Sequence, residues 1–371
     1  PGGDFYFTSN LDGTITNFAG GGGGAGGSGG DASSTEPGTG GPGIYYNITT
    51  VNTEYGKGGS SVNSFEHPNI TIKSTGASGT HDAPPDAILN TRSSSPSGVN
   101  DIIGPFDITV SGSDYVLYTF KYNSGYDNSG QTEYEITFAE HVVADVLIVA
   151  GGGSGGSGSG APADGGGGAG GLVFLDNVSF LQNIYTIKIG NGGSGRIGDG
   201  NSGSPSSIEY NDGATTKKIE VNGGGGGGKG FNGNNGQGGG SGGGGAGYNS
   251  GNTSGGSTIA LSINFLNKNI DSYIQGYDGG NGSLTNPGRS GGGGGAGEVG
   301  QNATTSTPGT GGDGKDFSMY FTANVGDNGY FAGGGGGNEG NSGNGVSGGL
   351  GGGSTGGQGS NSSSDAMSHT G

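Results

Sequence analysis

The chain has 371 residues, of which 102 are glycine, with 27% hydrophobic residues, 11% charged residues and a net charge of −18. An ordinary globular domain has about 45–50% apolar and about 25% charged residues, so a conventional globular enzyme is not expected; with only 12 prolines and no Gly-X-Y period, collagen is excluded. The absence of cysteine removes disulfide frameworks and thiolate metal sites, no apolar run approaches the roughly 18 residues of a membrane span, and the 12 scattered Lys and Arg lack the clustering that nucleic acid requires.

Residues 1–30 read as a strand followed by a glycine tether. Over 4–18, Phe5, Phe7, Leu11 and Ile15 share one face of a period-2 pattern, and Asp4, Tyr6, Thr8, Asp12, Thr14 and Thr16 take the other. The run Ala19–Gly30 is almost pure glycine. Two outcomes are open for the strand: it folds back onto its own sheet, or it is donated to a neighbouring subunit, where backbone bonds give affinity and alternate side chains fill an acceptor groove. The chain begins at Pro1 rather than Met, which fits a removed leader or a late start.

Residues 31–112 read as a small β region with long loops. Its strand-like segments are 44–55, 70–72 and 106–110. From 113 to 371 the texture changes to a glycine-rich β domain. The segments 114–122 and 132–138 alternate, and the continuous apolar run 143–150 predicts a fully buried strand. Glycine blocks then alternate with short apolar segments at 171–174, 184–189, 207–210, 217–221, 258–266, 319–325 and 329–332. Almost no segment has helical period.

Disordered linkers would not be interrupted every 15–30 residues by strand-quality segments. The expected alternative is polyglycine-II-like packing, in which left-handed rods with three residues per turn make no internal hydrogen bonds. Their N–H and C=O groups must then bond to neighbouring rods.

The ordered string Val146–Gly153, GGGGAGGLVF (165–174), YTIKIGNGGSG (185–195), SGSPSSI (202–208) and KIEVNGGGGGG (218–228) resembles the glycine-rich domain of phage and large-virus fibre or adhesin proteins and of aquatic microbial surface proteins. The resemblance spans about 132–250, and the texture continues to the C-terminus. It implies a β scaffold with packed glycine segments and an extracellular, structural or adhesive role without catalysis. The first 112 residues have no counterpart in that pattern. In arrangement, the N-terminal strand and tether are similar to strand-donating pilus subunits.

Chemical motifs are weak. GGGGGGKG (223–230) departs from a phosphate loop at Gly230, where Ser or Thr should hold magnesium. GGDGKDFSM (311–319) is similar to a calcium-binding nonapeptide, but it occurs once and has Ser318 at the apolar position. His67, His81, His141 and His369 are far apart, and His141 with Asp145 reads as a chance pairing on a strand. Asp82 and Asp86 flank Pro84-Pro85 without a cleft to make them an acid/base pair. Gly156-Ser157-Gly158 lacks the strand-to-helix context of a nucleophile elbow. The strand aromatics read as core, with saccharide stacking as the functional alternative. Sequons at Asn47, Asn69, Asn177, Asn252, Asn281, Asn302 and Asn361 fit glycosylation of a secreted chain.

The expected fold is therefore mainly β, with short antiparallel, sandwich-like strands interleaved with polyglycine-II-like segments and almost no helix. The expected role is a structural protomer of an extracellular filament at a cell or virion surface, with copies of itself as partners, no cofactor or metal, and no catalysis. Phe5, Phe7, Leu11 and Ile15 would fill the neighbour's groove. A fibre-type adhesin binding surface glycans is the first alternative. An ice-binding protein is the second, disfavoured by irregular threonine spacing.

Overall fold

The computed structural model describes short strands between residues 6 and 110 and most of 113–357. Within 113–357 the breaks are at 125–128, 139, 159–162, 196, 231–232, 248–252, 322–325 and 341–344; side chains are described from residue 115 onward. Two compact units divide at Pro68/Asn69. The first contains two hairpins: β1 (Tyr6–Ser9) pairs antiparallel with β2 (Ile15–Phe18), and β3 (Ile44–Tyr46) pairs with β4 (Thr53–Tyr55). The single strand expected over 4–18 is thus two strands facing one another, and the sequence between them carries Asp12-Gly13, a turn signal.

The second unit opens with β5 (Ile70–Ser74), β6 (Ile102–Val110), β7 (Ser113–Phe120) and β8 (Gln131–Phe138). It continues with β9 (Val142–Val149), β10 (Leu172–Phe180), β11 (Asn183–Gly190), β12 (Ser206–Asn211) and β13 (Thr216–Val221). The last strands are β14 (Ala260–Phe265), β15 (Lys268–Ile274), β16 (Lys315–Asp316) and β17 (Tyr330–Phe331). Every strand pair is antiparallel, and no α-helix occurs among the described residues. The mainly β fold expected from the sequence is what the chain adopts.

A five-stranded sheet in the order β13-β12-β11-β8-β5 forms one layer. Alternation in β8 buries Thr132, Tyr134, Ile136 and Phe138 and leaves Gln131, Glu133, Glu135 and Thr137 half-exposed. The two-stranded sheets β10-β9 and β14-β15 lie over that inner face. Phe138 stacks on Phe180 with ring centroids 4.9 Å apart, and Tyr185, Tyr210 and Phe265 continue the aromatic chain. Each such ring, fully buried, contributes about 1.5–3 kcal/mol. A second cluster of Leu172, Phe317, Phe331 and Ala332 covers the opposite face of β9 and β10 through Leu147, Val149 and Phe174.

The strands run directly into glycine rods. The β9–β10 ladder continues past its ends, but its spacing widens: Ala150, Gly153 and Gly156 donate to Gly171, Gly168 and Gly165, one bond every three residues. A three-residue period is that of the polyglycine-II rod, so the backbone changes from pleated to three-fold without leaving its partner. Rod 241–247 bonds to six neighbours. Ser241, Gly244 and Gly247 donate to 163–169 while Ser241 and Gly244 accept from 225–228. Gly242 and Gly245 donate to Tyr277 and Gly280 and accept from Gly294 and Gly291. Gly243 and Ala246 donate to Gln237 and Asn234, and Gly243 accepts from Gly256. A Cβ on Gly242 would overlap the carbonyl of Gly256, so only glycine allows this approach. The buried backbone groups of this rod thereby find partners without a conventional sheet.

Candidate functional site

The strand β9 is the exception to a well-covered core. Its partner β10 buries all of its inward residues: Val173 and Val178 are 0% exposed, Leu175 3% and Phe180 5%. On β9 only Ile148 is buried, whereas Val142, Ala144 and Val146 are half-buried. Val143 is 55% exposed. The expectation of a fully buried strand over 143–150 is corrected here. The run is apolar on both faces because a cluster packs against each, but one lateral edge carries no strand among the described residues.

Register shows which backbone groups face that edge. Leu172, Phe174 and Ser179 of β10 turn their N–H groups away from β9, toward Gln275 O (2.7 Å), Tyr273 Oη (3.0 Å) and Asn267 Oδ1 (3.0 Å). Their cross-strand partners are Val149, Leu147 and Val143. In an antiparallel ladder, two directly opposed residues point their backbone groups either at one another or both away. Val143, Leu147 and Val149 therefore direct N–H and C=O outward from β9, and no strand pairs there among the described residues. The outer edge of β10 is closed by Asn267, by Tyr273 of β15 and by Gln275; that of β9 has no such partner among the described residues.

A polar knot lies at the far end of the rods from the sheets. Asp164 donates its backbone N–H to Asn338 Oδ1 at 2.6 Å, Ser290 Oγ donates to Asp164 O at 2.7 Å, and Asn338 N–H returns to Ser290 Oγ at 2.8 Å. Beside it, the Arg289 guanidinium pairs with Glu339 and donates to Thr285 Oγ1 and Thr305 O. Burial raises the Asp164 carboxyl above the ordinary carboxylate range, opposed by hydrogen bonds from Gly230 and Gly158 and by the charge of Lys229. Sequence reasoning missed this knot. Its signal was polar residues interrupting glycine runs at Asp164, Ser290 and Asn338.

Of the predicted assembly residues, Phe7 lies on β1 and Ile15 on β2, where Ile15 opposes Ser9. Phe5 and Leu11 lie outside the described residues. The sequon residues Asn177, Asn281 and Asn302 are exposed, while Asn47, Asn69, Asn252 and Asn361 lie outside the described residues. Asn281 and Asn302 are also structural: their Oδ1 atoms accept the N–H groups of Gly255 and Asn281 along an outer rod face. The glycine loop at 223–230 directs the N–H groups of Lys229 and Gly230 at Asp199 and Asp164, carboxylates that occupy the place of an anion. Asp313 and Asp316 cap the N–H groups of Leu350 and Ser318. Among the described residues no group of three or more His, Cys, Asp or Glu is placed to hold a metal ion, and no helix is long and apolar enough to cross a membrane.

A β sandwich that extends into a hydrogen-bonded bundle of glycine rods defines a glycine-rich scaffold. The model of the glycine-rich domain family matches residues 127–371, and the chain belongs to that family. No curated protein and no solved structure matches the chain.

Proposed function

We propose that the chain is a structural protomer of an extracellular filament, joined through its N-terminal segment to the next copy. The observation that carries this reading is that, among the described residues, β1 and β2 pair with one another alone, over four residue pairs, in a compact unit distinct from the one that holds the glycine-rich domain. An isolated two-stranded hairpin is marginally stable in water, so exchange into a larger sheet is favoured. The rods supply a body whose backbones are cross-bonded to one another, and the charge of −18 keeps neighbouring assemblies apart. The sequons and the absence of cysteine are compatible with secretion. The chain acts without a cofactor and is not an enzyme. Sedimentation of the full chain and of one lacking residues 1–18 tests the reading. Large assemblies from the full chain alone support it, and equal small species from both overturn it.

A second reading, a phage- or virus-type adhesin that binds cell-surface glycans, draws on the polar knot of Asp164, Ser290 and Asn338, with the Arg289–Glu339 pair beside it, at the rod end remote from the sheets. Specific retention on a glycan array, lost on substitution of exposed side chains at that end, would favour it.

A further inference from the structure

We propose that the outer edge of β9 is the acceptor for the N-terminal segment of a second copy of this chain. The proposal rests on the filament reading above and names the surface it left unassigned. Two observations converge on β9. Val143, Leu147 and Val149 present outward backbone groups that no described strand occupies. The inward side chains Val142, Ala144 and Val146 are half-covered where their counterparts on β10 are buried. Among the described residues the core is therefore short of one strand on the β9 side and on no side of β10.

The N-terminal segment has the chemistry to complete it. Its apolar residues Phe5, Phe7, Leu11 and Ile15 fall at odd positions, so an extended segment turns them all to one face. β9 needs cover at alternate positions along eight residues. Strand addition supplies backbone bonds to the outward groups and apolar side chains to the open core at the same time. Residues 19–30 reach up to about 40 Å when extended, enough to connect two subunits. Insertion requires β1 and β2 to separate, which costs the four pairs between them and gains a ladder along the length of β9. The edge is otherwise the kind of exposed strand that natural proteins blunt.

The native chain has no cysteine, so single substitutions give unambiguous cross-links. Two preparations, Thr8→Cys and Val143→Cys, are mixed and treated with a short bismaleimide. A heterodimer is expected, with yield falling about tenfold when Val143→Cys is replaced by Ser257→Cys on an exposed rod face. Val143→Pro removes one outward N–H and none of the β9–β10 bonds, so it should fold normally and fail to assemble. Filaments that form without the cross-link and despite Val143→Pro would overturn the acceptor assignment and leave the filament reading standing. An unsubstituted chain that forms no filaments overturns both. In a third preparation that carries both Thr8→Cys and Val143→Cys, cross-linking only within single chains would assign β9 to the chain's own N-terminus and overturn the proposal.

Discussion

Gly244 donates its N–H to the carbonyl of Gly166 at 2.7 Å, and a methyl group on Gly244 would collide with the carbonyl of Gly291 on another rod. The two facts have one cause: rods without side chains approach closely enough to bond directly through their backbones. Gly244→Ala must push rods apart and break bonds on more than one side. A loss of about 3 kcal/mol is expected in a denaturant melt, as for a severe overpacking. Gly195 has open space at its Cβ position, and Gly195→Ala should change stability by less than about 0.5 kcal/mol.

Arg289 and Glu339 tie two rods together where their side chains are only 12% and 24% exposed. Removing one partner leaves an uncompensated charge in a poorly hydrated place. Glu339→Ala should cost about 2 kcal/mol, below the full cost for a buried pair because some water reaches it. Replacing both residues by methionine should cost less than Glu339→Ala alone. A larger loss in the double variant would show that the pair itself, rather than the stranded charge, dominates.

The buried carboxyl of Asp164 sets a pH dependence with a definite sign. Its folded pKa is raised, first by burial. The folded chain therefore binds the proton more tightly than the unfolded chain. The corresponding stability is fully present below the unfolded value of about 4 and is lost as pH climbs through the higher folded value. Asp164→Asn should remove that part of the slope from the stability-versus-pH curve. A parent-minus-variant difference that rises with pH across this window would contradict the assignment.

Ser207 is 1% exposed, and its hydroxyl has no hydrogen-bond partner among the described residues. An unsatisfied buried hydroxyl carries a desolvation cost without compensation. Ser207→Ala should raise stability by about 1 kcal/mol, read as a higher thermal midpoint; a lower midpoint would mean that the hydroxyl is satisfied in solution.

Strands with clean alternation were legible. β8 and β11 stand where 132–138 and 184–189 place them, because one face is buried and the pleat enforces period 2. β15 was not, since Asn269, Asp271 and Ser272 leave most of its length exposed and blur the pattern. The segment 319–325 reads as a strand; its residues 322–325 lie outside the described residues, and Tyr320 and Phe321 both donate to Phe317 O in a turn that packs their rings into the second cluster. The glycine blocks revealed the need for backbone partners but not their identity, because residues without side chains carry no pattern that specifies a neighbour. The open edge of β9 was hidden for a related reason: apolarity records which faces are covered and is silent about edges.

The most direct test of strand-linked assembly is electron microscopy of the purified full chain beside the chain lacking residues 1–18. Long uniform filaments from the full chain, and discrete folded particles from the shortened one, are the predicted result. Discrete particles from both would contradict it.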